Sequence, residues 1–369
     1  MKVALVANTT WNIYNFRLNI IEMLLLEGHN VIVIAPVDHY IFYKERFQTI
    51  THIPLKELRR KSLNVLSDLL FALELKKIYA NLQPDIVLHY TVKPNIYGGW
   101  AAHKNGIKSY AFVTGLGYAF LHNGIVEKIT KKLYKWSNRF HEKVIFENID
   151  DRLFFERLGL IKKNQGVSIK GCGVDTSYFR PMNRKGDPSR FIFTFLGRLI
   201  YDKGIKEFVE AAKIIKQKYK YVSFWIIGDT DNENPASIKE KDLMAWVREK
   251  IVVYLGPKYK VKKSIANSDC IVLPSYREAI ARALTEGMSM GKPVITTDTA
   301  GCREAVVDGV NGFLVPVKDA VALSIAMEKM LLLSIEARLE LGKNGRQMAV
   351  AEFDDKIIAN SIKEILFGV

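Results

Sequence analysis

Cysteine is scarce in this chain: Cys172, Cys270 and Cys302 are the only three, and they lie far apart. An odd number without a Cys-x2-Cys spacing excludes a disulfide framework and a zinc ribbon, and fits a reducing compartment. No cluster of His, Cys and carboxylates has metal-ligand spacing, so neither a metal nor a bound cofactor is expected. Long apolar runs are missing too. Met1–Ala7 is too short for a signal-peptide core and reads as a first strand. Ser109–Val126 carries no Asp, Glu, Lys or Arg, but Gly115, Gly117 and Gly124 break it up, so no spanning helix is expected. Internal repeats and low-complexity tracts are absent. Acidic residues run short, 39 Asp+Glu against 54 Lys+Arg, for a formal charge of +15. Ten of those surplus cations fall before residue 181. Such a balance suits nucleic acid, anionic lipid or a polyphosphate, and charge alone does not choose among them. What these absences leave is a globular chain of 369 residues, long enough for two domains.

What is present is concentrated between Ile271 and Pro316. Ile271–Leu273 reads as a buried parallel strand that Pro274 stops; a helix is expected to open near Glu278, and a second buried strand to follow at Pro293–Thr296. Ligands of such βαβ units sit beyond the carboxyl ends of the strands. Beside Glu278 the backbone amides of Ala279, Ile280, Ala281 and Arg282, at a positive helix end, form an anion site. Glu286 lies eight residues further on, a little over two helical turns, so both carboxylates can face one crevice. One carboxylate could hold sugar hydroxyls and the other a ribose diol, while the amides hold a diphosphate.

Glu278 and Glu286, then Gly291-Lys-Pro-Val-Ile-Thr-Thr-Asp298, Gly301-Cys-Arg-Glu304 and Asp308-Gly-Val-Asn-Gly-Phe-Leu-Val-Pro316, resemble a family 4 glycosyltransferase of the GT-B fold. A bare pair of glutamates at this spacing would equally suit an ordinary Rossmann-like unit; the whole run favours the resemblance. It implies an α/β chain of two facing Rossmann-like domains with parallel sheets and an active-site cleft between them. Residues 1–181 would form the acceptor domain and 182–350 the nucleotide-sugar domain, with 351–369 a helix crossing back to the first.

Taken in order, Val3–Ala7 is a strand, and Asn8 and Thr9 open a polar loop where many relatives have glycines. Phe16–Glu27 reads as one helix and Asn30–Ala35 as the next strand. Arg17 could meet the acceptor or a phosphate, although a solvated arginine at a helix start is the blander reading. Lys108–Val113 ends in Thr114, Gly115, Leu116 and Gly117, small enough to let a ligand meet backbone. Many relatives place a histidine there, so only the backbone role carries over. His103 and His122 read as polar surface or capping residues rather than bases. In the second domain the strand Phe191–Leu196 leads into a loop with Arg198 and Lys203, a natural place to grip a diphosphate. The resemblance gives both cations that role. Asp229-Thr-Asp231 is similar to the metal motif of the other glycosyltransferase fold but reads here as a solvated turn. Lys258-Tyr-Lys260 lies where relatives meet the nucleobase.

The resemblance implies retaining, metal-independent transfer from a nucleotide diphosphate sugar, with UDP the expected carrier. Arg198, Lys203 and Glu278 would do the chemistry and Glu286 would bind the ribose. Asn15-Phe-Arg17, Gly115-Leu-Gly117 and Asn232-Glu-Asn-Pro235 look most like bacterial enzymes acting on undecaprenyl-diphosphate-linked sugars. A lipid-linked saccharide would be the acceptor and nucleic acid no partner. The expected location is cytoplasmic, peripheral on the inner face of the membrane. Two basic stretches could meet that surface, Leu55–Asn81 and Glu127–Lys143, unless both simply pack on the sheet. A nucleotide-sugar 2-epimerase of the same fold and a non-catalytic nucleic-acid-binding protein are the rival readings.

Overall fold

The computed structural model describes the chain apart from residues 60–63, 117–119, 121–123, 186, 188, 232, 233, 235, 259 and 369. It divides into two compact units. The first is Met1–Cys172 with Ile358–Val369, the second Gly173–Ile357. The division falls ahead of Pro181 because Val174 already bridges to Asp354, and both Val174 and Phe179 sit in the second unit's core.

The first unit is built on β1 (Lys2–Val6), β2 (Asn30–Ala35), β3 (Thr51–Pro54), β4 (Ile86–Tyr90), β5 (Lys108–Val113), β6 (Lys143–Phe146) and β7 (Gly166–Ser168). They pair in parallel in the order β3-β2-β1-β4-β5-β6-β7. All five residues of β4 are buried, as expected of a strand covered by helices on both faces. The helix Asp355–Phe367 adds Ile358, Ile362 and Leu366 to the core that holds Leu5 and Ile21. Phe16–Glu27 is two helices rather than one. Thr10–Phe16 and Leu18–Leu26 meet at Arg17, whose φ of −129° and ψ of 3° interrupt the helical path. At that break the Arg17 side chain turns inward.

The second unit uses β8 (Phe191–Leu196), β9 (Val222–Ile227), β10 (Val253–Tyr254), β11 (Cys270–Leu273), β12 (Val294–Thr297) and β13 (Gly312–Val315). Their order is β10-β9-β8-β11-β12-β13, again parallel. In each sheet the strand order reverses beside the first strand, between β1 and β4 and between β8 and β11. Those two points are where a doubly wound sheet opens a crevice. The helix expected near Glu278 begins only at Arg282. The Glu278 and Ala281 amides donate instead to Ala300 O (3.0 Å) and Gly301 O (3.4 Å), so the neighbouring loop captures the backbone that would have made the first turn.

Candidate active site

Two loops meet at the β8/β11 switch point. One leaves β8 with Arg198 and Lys203; the other leaves β11 and carries Glu278. Lys203 Nζ and a Glu278 carboxylate oxygen form an ion pair across 75 positions of sequence. Ser275 Oγ donates to the same oxygen at 2.5 Å. The backbones are also tied, because Tyr276 N donates to Asp202 O at 2.9 Å. Two glycines permit the approach. Gly204, at φ +71°, lies so close to Pro274 that a Cβ would overlap its carbonyl; Gly301, at φ +73°, stands likewise against the Glu278 and Ala279 carbonyls. A side chain at either position would force the loops apart.

The remaining expected donor residues divide. Arg198 is half exposed and its Nη1 reaches Asp231 at 3.2 Å. The Asp229–Asp231 turn, read as solvated, therefore holds a cation in place. Among the described residues, no three His, Cys, Asp or Glu side chains are grouped as metal ligands. Glu286 is buried in the helix Arg282–Ser289, with Arg282 Nε 2.8 Å away. Burial raises its carboxyl above the ordinary range, and Arg282 offsets part of that rise. Ala279, Ile280 and Ala281 lie in the loop ahead of that helix. Cys302 lies behind the site, and burial, reinforced by the Glu278 charge, pushes its thiol up to about 12, so it stays protonated. Lys258 donates to Ser264 Oγ at 3.0 Å, while Tyr259 lies outside the described residues. Asp231 and Gly301 lie in segments that the sequence singles out, but for other roles; Ser275, three residues before Glu278, carries a local signal that the sequence reading passes over.

In the first unit Thr9 caps the helix Thr10–Phe16, its Oγ1 accepting from Asn12 N at 3.1 Å, with Asn8 just before it. Arg17 departs from the solvated reading. It is 2% exposed, pairs with Glu147 at 3.1 Å and lies 4.3 Å from the Tyr90 ring centroid. The guanidinium is buried because Glu147 supplies its counter-charge and Tyr90 its apolar lid. Thr114 and Gly115 are half-buried beyond β5, Gly115 at φ +98°, and Leu116 is buried; Gly117 and His122 fall outside the described residues. His103 stacks on Phe140 with centroids 4.7 Å apart.

Two doubly wound parallel units, with a lysine and a glutamate paired across one switch point, make the architecture of a GT-B glycosyltransferase. Solved structures agree on that fold. Sucrose-phosphate synthase from Thermosynechococcus elongatus superposes with a TM-score of 0.81 at 19% identity, covering 99% of this chain and 98% of that one. Anabaena Alr3699/HepE in complex with UDP and glucose gives 0.80 at 18%, with both chains covered in full. The family described as "Glycosyl transferases group 1" matches residues 181–348, and "Glycosyl transferase 4-like" matches 2–148. The Campylobacter jejuni N,N'-diacetylbacillosaminyl-diphospho-undecaprenol alpha-1,3-N-acetylgalactosaminyltransferase is 30% identical, over 97% of this chain and 96% of that protein. The Escherichia coli UDP-Gal:alpha-D-GlcNAc-diphosphoundecaprenol alpha-1,3-galactosyltransferase is 28% identical, over 70% of this chain and 69% of its own. The chain belongs to the group 1, family 4-like glycosyltransferases.

Proposed function

We propose that this enzyme moves a hexose or N-acetylhexosamine from a nucleotide diphosphate, UDP being favoured, to an undecaprenyl-diphosphate-linked saccharide of a surface polysaccharide or glycan. Transfer would proceed with retention and without a metal. The observation that carries the reading is the Lys203–Glu278 pair, two loops of one switch point joined at a ligand-facing edge. The relatives named above support the acceptor class. Arg198 and Lys203 would meet the charge that develops on the departing diphosphate, Glu278 the donor sugar hydroxyls and Glu286 the ribose. The acceptor hydroxyl attacks C1 from the leaving group's face. The bond from C1 to the diphosphate breaks as the new C1–O bond forms, and the proton passes to a diphosphate oxygen. A thermal-shift panel of UDP-, GDP- and TDP-sugars tests donor use, since a ligand at a hundred times its Kd stabilises by about 2.7 kcal/mol. No shift with any of them would sink the reading. Proton NMR of the product, with an unchanged anomeric configuration expected, tests retention.

A membrane surface is the proposed setting. Among the described residues no helix is long and apolar enough to cross a bilayer. The helix Val65–Leu82 leaves Val65, Leu66, Leu69 and Leu70 exposed while Phe71 enters the core. The helix Ile125–Ser137 exposes Ile125 and Ile129 beside Lys128 and Lys132, whereas Tyr134 is buried. Arg60, Lys61 and Leu63 lie outside the described residues. Sedimentation with anionic liposomes should pellet the protein at low salt. It should not pellet a variant with Lys128, Lys131, Lys132 and Lys135 changed to Glu, because each such cation is worth about 1 kcal/mol near the leaflet. Equal pelleting of both proteins would remove this helix as the contact.

A further inference from the structure

Beyond β1 and β2 the first unit carries a set of aromatic rings that its core uses only in part, Tyr14 packing against it. Trp11 is 40% exposed and Phe42 43%, and Tyr14, Phe16 and Tyr40 are half-buried beside them. Tyr14 lies 4.8 Å from Phe42 and 5.5 Å from Tyr40, Tyr40 is 6.0 Å from Phe42, and Trp11 meets Phe16 edge-on at 5.1 Å. The helix Thr10–Phe16 anchors itself with Thr10, Asn12 and Ile13 instead. Large rings left in water forgo the burial that makes aromatics valuable, so two such groups on adjoining segments, Trp11 with Phe16 and Tyr14 with Tyr40 and Phe42, mark a contact surface.

The platform is also rigid. The Asp38 carboxylate accepts from Thr10 Oγ1, from Tyr40 N at 2.9 Å and from Trp11 N at 3.2 Å, pinning the segment after β2 to the helix after β1. Prepositioned rings lose little freedom when a ligand arrives. Charge narrows the ligand class. In a chain of net charge +15, residues 3–43 hold a single Lys or Arg, Arg17, and Glu147 neutralises it within the core. The two segments that carry the rings, Thr10–Phe16 and His39–Phe42, hold no Lys or Arg to meet an anionic leaflet or a diphosphate; Lys44 and Arg46 follow on the next turn, Arg46 paired with Glu22 at 2.8 Å. A neutral pyranose presents C–H faces that stack on rings and hydroxyls that can bond to Tyr14 and Tyr40.

We propose that Trp11, Tyr14, Tyr40 and Phe42 form a stacking platform for the sugar of the acceptor, and so set acceptor specificity. This rests on the reading that the acceptor is a lipid-linked saccharide. The test uses full-length protein and three probes: short-chain prenyl diphosphates bearing N-acetylglucosamine or N,N'-diacetylbacillosamine, and the same prenyl diphosphate without sugar. Wild type should bind one of the sugar-bearing probes about tenfold more tightly than the bare one, and Trp11→Ala and Phe42→Ala should each erase most of that ratio. UDP affinity, a property of the second unit, should not change, and a wild-type Tm with wild-type hydrogen-exchange protection of the first unit certifies that the variants are folded. If both variants keep the wild-type ratio, or if they lose the bare prenyl diphosphate as strongly as the sugar-bearing one, the platform does not read sugar. If wild type binds UDP but none of the three probes, the lipid-linked acceptor is refuted, and the platform's ligand with it.

Discussion

The two units each hold a cation–glutamate pair near the carboxyl edge of a parallel sheet, and the pairs differ in access. In the first unit the side chains of Arg17 and Glu147 are 2% and 7% exposed. In the second those of Lys203 and Glu278 are 20% and 10% exposed, and the lysine stands on a loop that Gly204 lets close against Pro274. The same chemistry thus serves two ends. A sealed pair cannot exchange its partner for a ligand, so it fixes the fold. A pair at an accessible edge can exchange its partner, and on the proposed reading Lys203 would turn from Glu278 to the diphosphate.

Removing one partner of the sealed pair should have the largest effect. Arg17→Ala should cost about 3–5 kcal/mol, because it strands the Glu147 carboxylate in a buried site. Thermal unfolding reads this as a lowered Tm; a loss below about 1 kcal/mol would show that the pair is not sealed. At the open pair the loss moves from stability to turnover. Lys203→Ala and Arg198→Ala should leave Tm nearly unchanged yet lower turnover ~30- to 1000-fold, about 2–4 kcal/mol of transition-state stabilisation. Near-normal turnover in Arg198→Ala would remove it from the diphosphate.

Acid should also distinguish the two units. All seven histidines fall in the first unit. His141 is buried, its Nε2 2.8 Å from Asn95 O and its Nδ1 2.9 Å from Ser109 Oγ. Burial lowers its pKa to about 4, and burial also holds that of His89 well below the usual range. Because the folded state binds fewer protons than the unfolded one, this stability is full above pH ~6.5 and is lost as pH falls through 6.5 toward 4. His141 alone accounts for about 2 kcal/mol lost by pH 5. Hydrogen exchange at pH 7 and pH 5 should show the first unit loosening while the second does not. Uniform loosening would contradict this.

The strands are legible because parallel strands covered on both faces read as continuous apolar runs, and Ile271–Leu273 and Pro293–Thr296 fall on β11 and β12 within a residue. The apolar run Ile251–Leu255 reads as a strand in the same way, yet only Val253–Tyr254 pairs, since Val253 is exposed at the sheet edge and its apolar character does not signal burial. The loops carrying Arg198, Lys203 and Glu278 are legible as places. The Lys203–Glu278 contact is not, because a partner 75 residues away leaves no local pattern. Arg17 is the sharper case. Its charge says surface, and the partner that draws it into the core is 130 residues away.

A smaller effect separates the two glutamates. Glu286→Ala should weaken UDP itself, whereas Glu278→Ala should chiefly weaken the complete sugar nucleotide; equal losses on both ligands would contradict the division.

The most direct test is calorimetric titration of UDP into wild type, Lys203→Ala and Arg17→Lys, with each variant's folding checked by its Tm. Lys203→Ala should lose about tenfold or more in affinity, while Arg17→Lys should stay within about twofold of wild type despite a lower Tm. Unchanged UDP affinity in Lys203→Ala, with a loss in Arg17→Lys, would mean that the sealed pair and not the open one serves the diphosphate.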